Sequence, residues 1–281
     1  MQVCTTRKEF EDARAAMAGR VALVPTMGAL HAGHLAHLGV ARHASDHVVV
    51  SVFVNPAQFA PGEDLERYPR TLEVDVAKCE AAGADLVFAP ELETMYPPGA
   101  QAVELNVPAV ADTLEGARRP RFFPGVCRVV LKLLNLVRPH AVTFGQKDYQ
   151  QLCVVRSMIR DLLLPVEVLE VPTVRDDDGL AMSSRNVYLD DAARKRGLSL
   201  SKALRQAIRL VGDGETDPAA LEAAMGETMR AHQVEIDYAA VRRVSDLAET
   251  DAVAPGEAVA LVAGRVSGES GPVRLIDNTL L

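Results

Sequence analysis

The sequence predicts an α/β protein, with a doubly wound parallel sheet domain over residues 1–175 followed by a smaller α+β domain over residues 176–281. Three observations carry that expectation. Strand-like β-branched runs alternate with helix-spaced segments through the first 172 residues, which is the pattern of β-α-β crossovers with helices on both sheet faces. After D-D-D-G (176–179) the texture shifts to Ala/Arg-rich helical segments and then three further strand-like runs. Finally, 281 residues exceed the usual span of one compact domain.

The elements follow in order. V-A-L-V-P (21–25) and H-V-V-V-S-V-F-V (47–54) are apolar, β-branched runs of strand length, and the segment between them has helical spacing at Leu35, Leu38 and Arg42. A helix near 70–82 leads to the strand D-L-V-F-A-P (85–90). A helix near 125–137 leads to A-V-T-F-G (141–145), and a helix near 147–161 to V-E-V-L-E-V-P (166–172). In the second domain, helices are expected near 191–211 and 218–232, with strands at 235–244, 257–263 and 272–277. Ligands of parallel sheets bind at the carboxyl ends of the strands, so the loops leaving those ends are where chemistry is expected.

Composition narrows the function. Hydrophobic residues at 48%, charged residues at 24% and a mean hydropathy of +0.06 are ordinary for a globular protein. A net charge of −8 with scattered Lys and Arg argues against a tRNA- or DNA-binding surface. Aromatics at 4% and the absence of Trp argue against a base-stacking platform. No run of about 18 apolar residues is present, and M-Q-V-C-T-T-R-K-E-F lacks the core of a signal peptide, so a cytoplasmic protein without membrane spans is expected. Four cysteines, far apart and without a C-x-x-C pair, read as buried free thiols.

Four short segments carry the chemistry. In P-T-M-G-A-L-H-A-G-H (25–34), His31 and His34 stand three apart where a helix opens, so their rings share one side of its first turn. Unpaired N–H groups and the positive end of the helix dipole make that turn an anion site. Gly28 and Gly33 allow a phosphate-bearing ligand close to the backbone. Five of the seven histidines fall within 31–47, so a metal site is the competing reading, although no H-E-x-x-H spacing occurs; for His37, His43 and His47 packing or surface roles are favoured. M-S-S-R-N (182–186) offers two hydroxyls and the guanidinium of Arg185 to phosphate oxygens, against the simpler role of helix cap; D-D-D-G lacks calcium-loop spacing and reads as a turn. G-Q-K-D-Y-Q-Q (145–151) places Lys147 at a strand's carboxyl end to meet a phosphate and Asp148 to accept from ribose, against a plain capping segment. F-V-N-P-A-Q-F (53–59) offers the neutral amides of Asn55 and Gln58 to a hydroxyl or carboxylate, against a Pro-initiated turn. The fold is expected to gather all four over one crevice.

These residues resemble the pantoate–β-alanine ligase (pantothenate synthetase) family, within the nucleotidyltransferase superfamily that carries H-x-G-H signatures. The resemblance spans nearly the whole chain: P-T-M-G-A-L-H-A-G-H, F-V-N-P-A-Q-F, Y-P-R (68–70), F-G-Q-K-D-Y-Q-Q, V-P-T-V-R, G-L-A-M-S-S-R-N and R-L-I-D-N (274–278) occur in the family's order. It implies a Rossmann-like first domain and a C-terminal lid domain. It also implies a two-step reaction in which ATP and pantoate give pantoyl adenylate and pyrophosphate, after which β-alanine displaces AMP. Magnesium accompanies ATP, and family members are homodimers joined through the N-terminal domain. By matching position, Met27, Gly28, His31, Gly33 and His34 form the ATP loop, with His34 the implied proton donor. Gly145, Gln146, Lys147, Asp148, Val174, Met182, Ser183, Ser184 and Arg185 complete the nucleotide site. His31, His34, Lys147, Ser183, Ser184 and Arg185 are the implied catalytic set, meeting charge that builds on the phosphates. Gln58 and Gln151, with Asn55 and Met27, are implied to hold pantoate, and Asp75 to help hold magnesium.

The chain departs from many relatives at R-P-R-F-F (119–123), where Arg121 and Phe122 replace a glycine and a histidine, and at Gly62, often an asparagine. The alternative function is an adenylyl- or cytidylyltransferase acting on a small phosphate substrate, whose pocket should be more basic than one offering Gln58 and Gln151. A tRNA-charging enzyme and a non-enzymatic zinc protein rank below it.

Overall fold

A computed structural model describes residues 1–99, 103–105, 107–269 and 271–281. The chain divides into two compact units, Met1–Gly145 with Gln150–Pro172, and Gln146–Tyr149 with Thr173–Leu281.

The first unit runs β1 (Gln2–Cys4), α1 (Arg7–Ala15), β2 (Val21–Thr26), α2 (Ala32–Ala44), β3 (His47–Val52), α3 (Leu72–Ala81) and β4 (Leu86–Phe88). Three one-turn helices follow, α4 (Leu92–Met95), α5 (Pro108–Ala111) and α6 (Glu115–Arg118), then α7 (Phe122–Val137), β5 (Ala141–Gly145), α8 (Tyr149–Asp161) and β6 (Glu167–Val171). The six strands form a parallel sheet in the order β1-β4-β3-β2-β5-β6. Val21 and Leu23 of β2 join the core cluster of Phe10, Leu133 and Leu152, whereas Ala22 and Val24 join that of Leu38, Ala41 and Cys79. A strand buried on both faces has no polar side to show, which is why β2 and β3 read as unbroken apolar runs. The order reverses where β2 lies beside β5, paired at Ala22↔Ala141 and Leu23↔Val142, and such a reversal opens a crevice at the carboxyl ends.

No element is expected before residue 21, yet β1 and α1 are present. Their signal is T-R-K-E (6–9): the Thr6 hydroxyl accepts from Glu9 N (3.3 Å) and the Glu9 carboxylate from Thr6 N (3.1 Å), a closed capping box.

In the second unit, α9 (Asp191–Gly212) and α10 (Pro218–Ala231) accompany an antiparallel sheet of β7 (Glu235–Arg243), β8 (Ala258–Gly268) and β9 (Gly271–Leu280), in that order. Asp190 and Asp217 cap the two helices through Ala193 N (2.7 Å) and Ala219 N (2.9 Å). Strands β8 and β9 outrun their apolar cores because the ladder continues through pairs such as Arg265↔Arg274 and Ser267↔Pro272. D-D-D-G is a turn: Gly179 N donates to Asp176 O (2.8 Å), while Asp176 and Asp178 take Arg194 at 2.7 and 2.8 Å.

Cys4, Cys79 and Cys127 are buried and Cys153 is half-buried. Burial pushes the Cys127 thiol up to about 12, and burial with the Asp75 charge pushes Cys79 up to about 11, so neither is a thiolate at neutral pH. Among the described residues, no helix is long and apolar enough to cross a membrane.

Candidate active site

The loop from β2 to α2 turns on two consecutive left-handed residues, Gly28 (φ 82°) and Ala29 (φ 51°). At Ala29 that conformation costs about 1 kcal/mol, so something must hold it. The holder is one face of α3 together with the residue before it. Asp75, fully buried, accepts from Ala29 N (2.9 Å) and Leu30 N (2.7 Å); Thr71 donates its hydroxyl to the same carboxylate (3.1 Å); and Lys78 Nζ donates to Leu30 O. Spacings of four and three place the three side chains on one helical face. A Cβ at position 28 would stand 3.0 Å from Asp75 Oδ2, which, with the positive φ, requires glycine there. The implied use of Asp75 as a magnesium ligand therefore finds its carboxylate already engaged by two amides and a hydroxyl, and the geometry makes it the brace of the loop. Among the described residues, no group of three or more His, Cys, Asp or Glu is placed to hold a metal ion.

His31 is the N-cap of α2, which starts at Ala32. Its Nδ1 accepts from Gly33 N (3.1 Å), and His34 Nδ1 accepts from His31 N (3.3 Å), a capping box built from two imidazoles with ring centroids 4.1 Å apart. An Nδ1 that accepts a backbone N–H carries no proton, so the bonding pattern assigns both rings as neutral Nε2–H tautomers. Each half-buried ring thus carries its Nε2–H beside the first-turn amides and the positive end of a 13-residue helix. His37 packs α2 onto the sheet, its Nδ1 3.0 Å from Thr143 Oγ1, and a Cβ at Gly145 would stand 3.1 Å from its Nε2.

In F-V-N-P-A-Q-F the two amides separate into different roles. Asn55 is buried and fully engaged: its Nδ2 donates to Gln58 Oε1 (2.9 Å) and Gly125 O (3.2 Å), and its Oδ1 accepts from Tyr96 Oη (2.7 Å) and Ala57 N (3.3 Å). The expectation that Asn55 binds substrate directly meets a side chain whose hydrogen-bonding groups are all engaged within the protein. What Asn55 does is hold Gln58 Oε1 as an acceptor, so the Gln58 NH2 is the end offered as a donor. Burial pushes the Tyr96 hydroxyl up to about 12, against the opposing pull of Arg128, so it stays a proton donor to Asn55. Gly125 permits this approach: a Cβ there would lie 2.3 Å from Ala57 O. Gln151 is half-buried on α8 and its side chain makes no hydrogen bond among the described residues, whereas its neighbour Gln150 is buried and engaged with Glu115 N, Val110 O and Thr113 O.

A cavity of about 410 Å³ in the first unit is bounded by Met27, Gly28, Phe53, Arg70 and Asp75 among others. Gln58 and Gln151 are not in its wall. Phe122, at the departure from the family pattern, lies under the Arg119 guanidinium (4.0 Å to the ring centroid), and Arg119 in turn holds Glu63 with two bonds of 2.7 Å and donates to Gln58 O (3.3 Å). The aromatic residue thus supports an arginine that braces the Gln58 turn.

In the second unit, Gln146–Asp148 form one 3-10 turn, with Lys147 Nζ 3.8 Å from Asp148 Oδ1. Val174 and Met182 pair across the D-D-D-G hairpin, Met182 N to Val174 O at 2.9 Å. Ser183 Oγ accepts from Arg185 N (3.3 Å) and caps the short turn Ser184–Tyr188, a bond that uses the oxygen and not the hydroxyl proton; Met182, Ser184 and Arg185 are half-buried beside it. The structure therefore gathers Met27, Gly28, His31, Gly33 and His34 on one loop in the first unit, and Gln146–Asp148, Val174 and Met182–Arg185 within the second. Tyr96, Arg119 and Thr71 escape sequence reasoning because nothing local distinguishes them; only the Y-P-R motif gives a hint of Arg70.

A parallel α/β sheet whose strand order reverses beside an H-x-G-H loop defines the class: a nucleotide-binding fold with a helix-terminus anion site. A family model described as Pantoate-beta-alanine ligase matches residues 2–280. Pantothenate synthetase of Roseiflexus castenholzii is 49% identical over 282 residues, covering 100% of this chain and 99% of the relative. The crystal structure of pantothenate synthetase from Thermus thermophilus superposes with a TM-score of 0.92 at 47% identity, covering 100% and 99% of the two chains. Pantoate-beta-alanine ligase from Francisella tularensis, complexed with beta-gamma ATP and beta-alanine, gives 0.80 at 30% identity, covering 100% and 97%. The chain belongs to the pantoate–β-alanine ligase family. It is a carbon–nitrogen ligase that joins pantoate to β-alanine.

Proposed function

We propose that the chain condenses pantoate with β-alanine in two steps through pantoyl adenylate. The pantoate carboxylate attacks the α-phosphorus of ATP and pyrophosphate leaves; the β-alanine amine then attacks the acyl carbon, AMP leaves, and the amine surrenders its proton. The observation that carries this reading is the imidazole pair held as Nε2–H donors at the first turn of α2, at the carboxyl end of β2. Neutral donors there stabilise charge growing on phosphate without competing for a proton, and His34 acts as hydrogen-bond donor. Lys147 opens from β5, the strand beside β2, and supplies the cation; Gly145, Gln146, Asp148, Val174 and Met182 line the nucleotide, while Ser183, Ser184 and Arg185 meet its phosphates.

Magnesium enters as part of the Mg·ATP substrate in this reading, since Asp75 is committed to the loop and Mg²⁺ bound to phosphates keeps much of its water. Gln58 and Gln151 hold pantoate through neutral amides, leaving its carboxylate nucleophilic. The adenylate is hydrolysable, and the M-S-S-R-N segment with the second unit serves to exclude water. A cytoplasmic homodimer joined through the first domain completes the reading.

The pantoate assignment is tested by Gln151→Ala. One lost hydrogen bond of about 1–1.5 kcal/mol raises the pantoate KM roughly tenfold, with the ATP KM essentially unchanged. Steady-state assay of AMP release at varied pantoate and varied ATP separates the two, and an unaltered pantoate KM reassigns the glutamine.

A further inference from the structure

The closing R-L-I-D-N motif has no role in the reaction as described so far. In the second unit Asn278, on β9 and only 5% exposed, donates Nδ2 to two consecutive backbone oxygens, Gln146 O (2.9 Å) and Lys147 O (2.7 Å). Two acceptors on one end of the amide establish that end as nitrogen. Its Oδ1 is buried without a hydrogen-bond partner among the described residues, a penalty an aliphatic side chain would avoid. The side chain thus leaves its oxygen unsatisfied while its nitrogen makes two bonds.

The residue before it anchors the arrangement. Asp277 takes Arg175 in a two-pronged pair at 2.6 and 2.9 Å, and its Oδ1 also accepts Asn278 N at 2.8 Å. Arg175 donates onward to Gly179 O (3.2 Å) in the hairpin that carries Val174 and Met182. One strand therefore ties the turn bearing Lys147 to that hairpin, across more than a hundred residues of sequence.

We propose that Asn278 is the positioning residue for Lys147: by gripping the carbonyls of the Gln146–Lys147 turn it fixes the backbone from which the ammonium projects, and the Arg175–Asp277 pair holds Asn278 in turn. The proposal rests on Lys147 being the cation that meets the phosphates. Displacement of a reacting group by about an ångström costs on the order of a hundredfold in rate, so loosening this turn is felt in catalysis before it is felt in folding.

The test is a double-mutant cycle in the 281-residue chain, using N278A, K147A and the combined variant, read by pyrophosphate–ATP exchange, by AMP release at varied β-alanine and by thermal melting. N278A is expected to lower kcat/KM for ATP roughly ten- to a hundredfold and to leave the β-alanine KM unchanged. In the absence of Lys147 the same substitution should cost less than about twofold, because its effect runs through that side chain. N278S keeps one donor and should fall between; it carries the same cycle if N278A does not accumulate as folded protein. An undiminished rate in N278A or N278S, or an equal loss with and without Lys147, overturns the proposal. Normal exchange in K147A alone is a separate result, which removes the role of Lys147 on which the proposal stands.

Discussion

Replacing Lys147 with alanine is expected to slow adenylate formation by about 10²–10³-fold while the melting temperature hardly moves. The rate effect follows from where charge grows: as the carboxylate oxygen reaches the α-phosphorus, negative charge builds on the phosphoryl oxygens and the departing pyrophosphate, and a fixed cation stabilises that state more than the ground state. The stability side follows from the contacts of Nζ, whose ion partner is Asp148 at 3.8 Å, a partly exposed pair worth about 0–1 kcal/mol. Lys147→Arg keeps the charge but replaces a compact ammonium with a wide planar fork, so only partial recovery is expected. Single-turnover adenylation and a melting curve on the same samples check the assignment, and near-normal turnover with alanine at 147 removes it.

His34→Ala is expected to produce a loss of similar size, about 10²–10³-fold, but with a measurable structural component. Its Nδ1 accepts His31 N and closes half of the capping box, and losing a cap costs about 0.5–2 kcal/mol. The two effects separate with His34→Asn, whose carbonyl oxygen can still accept His31 N and whose NH2 can donate. Asparagine should restore the melting temperature and recover part of the rate, whereas alanine restores neither. If alanine lowers the melting temperature and leaves the rate intact, His34 is a cap alone.

How much of this was legible in the sequence depends on how local its cause is. The interior strands β2, β3 and β5 announce themselves because both of their faces are buried, which forces continuous apolar runs. Strand β1 is three residues long, and α4, α5 and α6 are single turns, so none of them completes a period that could be read. The anion loop was legible because His31, Gly33 and His34 are neighbours in sequence and their partners are one another. Asn55 and Gln58, three apart, present the same functional group, and only Tyr96 and Gly125, 41 and 70 residues away, decide that Asn55 faces inward. Asp75 illustrates the same limit: its oxygens face Ala29 and Leu30, 46 and 45 residues away, and its bracing of that backbone leaves no local trace in the sequence. The tie from Asn278 to Lys147 spans 131 residues and leaves no periodic trace at all.

The central claim is that pantoate captures AMP before β-alanine takes part. Incorporation of labelled pyrophosphate into ATP, measured with pantoate present and β-alanine withheld, addresses it directly. The account predicts steady exchange that disappears when pantoate is omitted. Exchange that requires β-alanine, or that proceeds without pantoate, contradicts it.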